Sequence, residues 1–401
     1  MKIVKIDSYR MKEHPRELII EIHTDVGIVG LGETNAKPGA VQSLIHEMCA
    51  DILLGQDPQN IESIWSTFYT AFNHHGCSGT EMRALSAIDI ALWDIKGKIS
   101  GQPLYQLLGG KSRDTVKVYN TCVGYLENND RDRFIHQPEK LAEELLESGI
   151  DVMKIWPFDE LSAEFRGQYI TKDLMKKGLE PFRKIKETFG DKMQIALEGH
   201  GRWNVTAAIN IARELEQYDP LWIEDLIAIN NIDNLVELRK ATSIPIGASE
   251  RLFTRYGYQE LLEKRGGDIV IADPAWTGGV TEVKKIASLA EVYGLPFAPH
   301  NCGGPILHTV NAHICFNIPN LWMMETVRAF YDSYYDDIVT GVPRVVNGYI
   351  TGVSEYPGLG VELRKEFYER SDLIHRTSTQ QKGKGEGKVY NVTGIGDPWK
   401  R

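Results

Sequence analysis

One repeat constrains this chain more than any other feature. From about residue 115, short apolar runs alternate with amphipathic stretches, eight times over. The runs are TVKVYN (115–120), IDVMKIW (150–156), MQIALE (193–198), LWIE (221–224), IPIGASE (244–250), DIVIAD (268–273), LPFAPH (295–300) and LWMMET (321–326). Short apolar runs of this kind read as strands buried on both faces. The intervening segments read as helices. After His200, Ala208, Ile211, Ala212 and Leu215 fall at i, i+3, i+4 and i+7, and PEKLAEELLESG (138–149) ends on Gly149, a C-cap residue. Strict β/α alternation predicts the α/β class and a parallel barrel.

The strand ends carry the functional signal. Glu198 to Glu224 is 26 residues, Glu224 to Glu250 is 26 again, and Asp273, His300 and Glu325 follow after 23, 27 and 25. Lys154 lies near the end of the second strand. A step of roughly 25 residues is one βα unit, so these groups share a height at the C-terminal mouth, where barrel enzymes build their sites. Three carboxylates on adjacent strands repel unless a cation joins them, and hard oxygen donors favour Mg²⁺ or Mn²⁺. Carboxylates bridged by Arg or Lys are the competing reading, weakened because these strands offer few basic residues. His300, with Asp273 one unit earlier to fix its tautomer, suits a general base. His200, just past Glu198, suits a general acid. Glu325 is placed to hydrogen-bond a substrate carboxylate if protonated or through water.

Bulk properties narrow the class. A chain of 401 residues suggests a large barrel plus an appendage. No apolar run approaches a membrane span, and the first residues lack a signal-peptide core, which predicts a cytoplasmic protein with no membrane partner. Five scattered cysteines, none in a C-x-x-C pair, read as reduced thiols. A net charge of −10 without a basic cluster argues against nucleic acid.

These residues resemble the enolase superfamily in its mandelate racemase branch. GIVGLGET (27–34) is similar to the family's capping-domain hairpin, ALSAIDIALWDIKGKISGQPLYQLLGG (84–110) to its long helix and link, and NGYITGVSEYPGLGVEL (347–363) to the segment returning to the cap. On that helix Leu85, Ile88, Leu92 and Ile95 lie on one face whatever the family. The resemblance implies a modified TIM barrel (115–335), an N-terminal α+β capping domain (1–114) and a C-terminal segment with a polar tail (336–401). It implies Mg²⁺ held by Glu198, Glu224 and Glu250, an Asp273–His300 dyad, a small acid as substrate and a homo-oligomer. In this family the chemistry is proton abstraction beside a carboxylate, with Mg²⁺ stabilising the enediolate.

Three departures refine the expectation. Glu198 stands where the family usually has Asp. Lys154 matches the first lysine of the racemases' Lys-x-Lys, but Trp156 replaces the second and cannot accept a proton. His200 replaces the usual Asn. The stretch Glu198–Arg202 then resembles the sugar-acid dehydratases of the galactonate dehydratase kind, which implies dehydration of an aldonate or aldarate to a 2-keto-3-deoxy acid. A sugar-acid or lactone cycloisomerase or epimerase is the alternative. A metal-dependent barrel hydrolase would need paired histidines on the first strand, which VKVYN does not supply, and a purely structural role would leave the two histidines and Asp273 without a purpose. Lys154 and Trp156 are expected to contact substrate. NHHGC (73–77) reads as a loop over the mouth, with His74 and His75 either touching substrate or solvated. Trp203 reads as pocket or rim, and 375–401 as a flexible or surface-wrapping extension.

Overall fold

The computed structural model describes residues 1–379. All eight expected strands form: Val116–Thr121, Val152–Ile155, Gln194–Glu198, Trp222–Glu224, Ile246–Ala248, Ile269–Ala272, Phe297–Pro299 and Met324–Thr326. Each of the first six pairs in parallel with the next, and the eighth pairs in parallel with the first. A single parallel bridge, Phe297 to Leu321, closes the remaining seam.

Strand alternation brings the polar ends into one space. Tyr119, Val152, Ala196, Trp222, Ile271, Ala298 and Met323 belong to one buried cluster that fills the barrel. Two residues beyond Val152, Ala196, Trp222, Ile271, Ala298 and Met323 stand Lys154, Glu198, Glu224, Asp273, His300 and Glu325. A side-chain period of two therefore aims all six at the axis, in the mouth. Glu250 is out of phase with this rule. Gly247 is the inward residue of its strand, where an added Cβ would meet Ile271 at 2.8 Å and Trp222 at 3.0 Å, and the turn after Ala248 carries Glu250 inward.

Ahead of the barrel, Ile3–Met11, Glu17–Thr24 and Val29–Asn35 form an antiparallel meander crossed by the helix Gly79–Ser100. The hairpin glycines are explained by that crossing. A Cβ on Gly30 or Gly32 would stand 2.2 or 2.0 Å from the carbonyl oxygens of Ala91 and Ala87. The helix buries the expected Leu85, Ile88, Leu92 and Ile95. Its Asp89 accepts from Thr281 N (3.0 Å) and Oγ1 (2.6 Å), fastening cap to barrel. Glu33, from the third cap strand, accepts from the backbone N–H of Gly304 (2.5 Å), Ile306 (2.9 Å) and Leu307 (3.3 Å) at the start of the helix Pro305–Asn317. An anion at a helix N-terminus satisfies otherwise orphaned donors.

The return to the cap differs from expectation. Within 347–363, Tyr349–Ile350 pairs with Val116–Lys117 of the first barrel strand, and only the stretch around Gly358 and Leu359 reaches the cap helix. The strand that completes the cap sheet is Leu373–Thr379, antiparallel to the first cap strand. It begins before the polar tail and takes in its first five residues; 380–401 lie outside the described residues. As an edge strand with alternate residues in solvent, it lacks the apolar run that marks a buried strand. Of the two readings of the loop 73–77, the solvated one fits: His74 and His75 are exposed and are not among the residues lining the mouth cleft. Among the described residues, no helix is long and apolar enough to cross a membrane, and all five cysteines are free.

Candidate active site

The mouth holds a cleft of ≈ 570 Å³. At its floor Lys154, 1% exposed, donates to Glu224 Oε1 (2.8 Å) and pairs with Glu325 Oε1 (2.9 Å) and Glu198 Oε2 (3.4 Å). Glu198 Oε1 accepts from the backbone N–H of Gly199 (3.0 Å) and His200 (2.7 Å), while its Oε2 is buried without a hydrogen bond. Glu224 Oε2 accepts from Trp222 Nε1 (3.0 Å). Glu325 accepts from the Thr121 hydroxyl and from Asn301 N (2.7 Å).

His300 is buried between two carboxylates. Its Nδ1 lies 2.6 Å from Asp273 Oδ2 and its Nε2 lies 2.6 Å from Glu250 Oε2. Burial disfavours the imidazolium, but the charges of Glu250 and Glu325 outweigh it and push the histidine well above its ordinary pKa. Glu250 is correspondingly held low against its own burial by His300. Glu325 is also held low, because Lys154 and His300 overcome burial. Of the two modes expected for Glu325, that lowering favours contact with a substrate carboxylate through water over donation from a protonated acid. Glu224 goes the other way, pushed well up by burial and by Glu198, Glu325 and Glu250 despite Lys154.

A second carboxylate–imidazole pair faces this one. His200 Nδ1 lies 2.7 Å from Asp159 Oδ2, a buried residue in the loop after the second strand. Burial opposes charge on His200, but Glu198 and Asp159 raise its pKa above the ordinary value. Arg202 Nε reaches the same Asp159 oxygen at 3.0 Å, and Trp156 meets the His200 ring edge-on at 5.7 Å.

Residues 137–367 match the family described as enolase C-terminal domain-like, and residues 8–109 match the mandelate racemase / muconate lactonizing enzyme N-terminal domain. The chain belongs to the enolase superfamily. It is 40% identical to an enolase of the mandelate racemase subgroup from Agrobacterium tumefaciens, with 94% of this chain and 99% of that one covered and a TM-score of 0.87. An enolase protein from Sargasso Sea environmental sequencing is 35% identical over 95% of this chain and 100% of its own, at a TM-score of 0.87. A protein from Salmonella enterica, provisionally named a dehydratase, is 30% identical over 94% of this chain and 100% of its own, at 0.86.

Members of this superfamily generally bind Mg²⁺, and the donor set suits it. One oxygen each from Glu198, Glu224 and Glu250 lies within 4.8 Å of the others. The carboxylate–lysine bridging weighed against a metal is present too, through Lys154. The balance of charge decides between them. Glu198, Glu224, Asp225, Glu250, Asp273 and Glu325 are all buried, while Lys154 and His300 are the buried cations beside them. Two cations leave a deficit, and it shows in Glu198 Oε2, which has only the 3.4 Å approach of Lys154 and no hydrogen bond, and in the raised Glu224. A divalent ion on these oxygens answers both.

Trp156 is half-buried on the cleft wall against Phe134. Trp203 is buried in the core beneath the rim. Three residues were missed from sequence. Asp159 lies in an irregular loop with no periodicity to mark it. Asp225, pushed up to about 7 by burial and Glu198, follows Glu224 directly and was hidden by it. Trp276 packs 4.9 Å from His300 and donates to Asn35 Oδ1 of the cap (2.7 Å), a link that only the fold creates.

Proposed function

We propose that this protein dehydrates a sugar acid to a 2-keto-3-deoxy acid. One observation carries the reading: two carboxylate-oriented imidazoles, His300 on Asp273 and His200 on Asp159, line the same cleft as Glu198 and Glu250 of the three-glutamate set. A second lysine base is excluded at Trp156, so one histidine serves as base and the other as acid. The provisional naming of similar proteins as dehydratases supports the same direction.

Glu198, Glu224 and Glu250 would hold Mg²⁺, which supplies charge to stabilise an enediolate. Lys154 adds a fixed positive charge where the substrate's C1 carboxylate would lie. With the Glu250 carboxylate engaged by the ion, the charge that holds His300 protonated would be offset, and the neutral imidazole would take the C2 proton on Nε2, with Nδ1 kept on Asp273 so that only one tautomer is offered. The electrons of the C2–H bond form the C1=C2 double bond of the enediolate. As that bond collapses to C2=C3, the C3–O bond breaks, and His200 donates the proton that lets the hydroxyl leave as water. The resulting enol tautomerises to the 2-keto acid.

The test is turnover of an aldonate, uronate and aldarate panel with Mg²⁺, followed by product NMR. A 2-keto-3-deoxy product is expected, and His300→Asn abolishes exchange of the C2 proton with deuterated solvent. A product of unchanged mass would instead identify a cycloisomerase or epimerase.

A further inference from the structure

The chain carries a net charge of −10, yet Arg16, Arg131, Lys154, Arg202 and Arg251 all line the cleft. Four of them are spoken for. Lys154 sits among its glutamates, Arg131 pairs with Glu160 at 2.6 Å, Arg202 with Asp159 at 3.0 Å, and Arg251 stands 3.7 Å from Asp225. Among the described residues, Arg16 is the one cleft-lining cation with no carboxylate partner and no side-chain hydrogen bond.

Arg16 is not on a loose loop. It sits in the turn between the first two cap strands, and that turn is clamped from both sides. Glu13 N donates to Asp372 Oδ2 (3.0 Å), and Arg370 Nη2 pairs with Glu13 Oε2 (2.7 Å). His14 is buried, stacks on Tyr334 at 4.2 Å and hydrogen-bonds the Tyr125 hydroxyl. Arg16 O accepts from Ala36 N (3.0 Å), just past the third cap strand. The backbone is held while the guanidinium stays exposed over the mouth.

The two ends of the cleft therefore differ in chemistry. The floor, with Lys154 and the glutamates, has a place for one carboxylate. At the cap side the exposed Arg16 guanidinium, on a clamped backbone, has no carboxylate at salt-bridge distance, although its charge reaches the buried Glu17, and a guanidinium binds a carboxylate through two parallel hydrogen bonds. We propose that Arg16 binds the distal carboxylate of a sugar diacid, so that this enzyme prefers aldarates to aldonates. This rests on the dehydratase reading for the orientation of the substrate. A monoacid ends in a hydroxymethyl group, which cannot neutralise Arg16 when the cleft fills.

The test compares two matched pairs, galactarate with galactonate and glucarate with gluconate, in Mg²⁺ buffer. Calorimetric binding and kcat/KM are read for wild type, Arg16→Ala and Arg16→Lys. In at least one pair the diacid is favoured about tenfold or more. Arg16→Ala erases that preference through KM, and Arg16→Lys keeps part of it. Arg16 is exposed in a turn and its side chain makes no hydrogen bond; its charge acts on the buried Glu17, which Arg16→Lys preserves, and melting curves of both variants check that the fold is kept. A preference for the monoacid, a diacid preference that survives Arg16→Ala, or binding of none of the four acids overturns the proposal. Tighter binding of 6-phosphogluconate than of either diacid, lost in Arg16→Ala, would make the anion a phosphate and overturn the diacid. Diacid binding that needs Arg16 but leads to no dehydration would uphold the subsite and remove the dehydratase reading. Dehydration of monoacids alone would do the reverse.

Discussion

Replacing Asp159 with Asn separates the two histidines experimentally. The side chains are isosteric, so the change removes a charge and little else. Asp159 Oδ2 is 2.7 Å from His200 Nδ1 and the residue is 6% exposed, which makes this a charge-assisted bond in a partly dry setting. Such bonds contribute about 1.5–3 kcal/mol, and each 1.36 kcal/mol is a factor of ten in rate. Asp159→Asn should therefore lower dehydration roughly 10- to 150-fold, by depleting the imidazolium that donates to the leaving hydroxyl. Stability should change little. The other group on Asp159, Arg202, has a side chain 52% exposed, so water takes over its solvation.

The assay is one sample in deuterated solvent, followed by NMR for both C2 exchange and product. His300 and Asp273 lie across the mouth and keep their 2.6 Å contact. Exchange should continue while product formation falls, and the ratio of exchange to turnover should rise at least tenfold. A merely structural Asp159 would lower both rates together. If exchange and dehydration fall in parallel, or neither falls, His200 is not the acid that Asp159 positions.

Three further outcomes follow from the same structure. Mg²⁺ should raise the melting temperature of the chelated protein, by an amount equivalent to about 2.7 kcal/mol at a hundred times Kd, and Glu224→Gln should largely remove that rise; a melting temperature indifferent to Mg²⁺ and Mn²⁺ would leave the glutamates structural. His308 and His313 are driven down to about 4 by burial, which outweighs the carbonyl (Pro343 and Leu359) to which each Nε2 donates, while each Nδ1 faces a donor. Their folded pKa lies below the unfolded value, so stability is full above about pH 6.5 and falls as pH drops towards 4, by about 3 kcal/mol per histidine; denaturation of His313→Gln at pH 7 and pH 4.5 should show a shallower loss than wild type. Glu33→Ala leaves three buried N–H groups at the cap–barrel junction without acceptors and should cost about 3 kcal/mol or more, read as a lower denaturation midpoint that Glu33→Gln partly restores.

What could be read from sequence, and what could not, divides by how locally each feature is encoded. The eight strands and the inward aim of Glu198, Glu224, Asp273, His300 and Glu325 follow from period-two alternation within single runs, so the spacing alone placed them. Glu250 obeys the spacing but not the alternation, and its placement depends on a turn. Lys154 was read as a substrate contact, yet its position inside the carboxylate set needs three other strands to be seen. Asp159 and Arg16 belong to irregular segments and meet the barrel axis only through tertiary packing. The closing cap strand, Leu373–Thr379, is half-exposed and so has no apolar signature.

The extra methylene of Glu198 has a physical account in the turn that follows it. His200 and Gly201 take positive φ, 46° and 66°, so the chain curls tightly after the strand. That curl presents the N–H groups of Gly199 and His200 to Glu198 Oε1 at 3.0 and 2.7 Å. One carboxylate oxygen is thereby spent on its own backbone, and the longer side chain folds back to reach it. The other oxygen, Oε2, is left without a hydrogen bond among Glu224, Glu250 and Lys154, where a cation would find it. The same bonds fix the backbone of His200, whose ring is held at its far side by Asp159. Ligand and acid are thus positioned by one turn: the glutamate orders the backbone that carries the histidine, and the bend that places the histidine orients the glutamate.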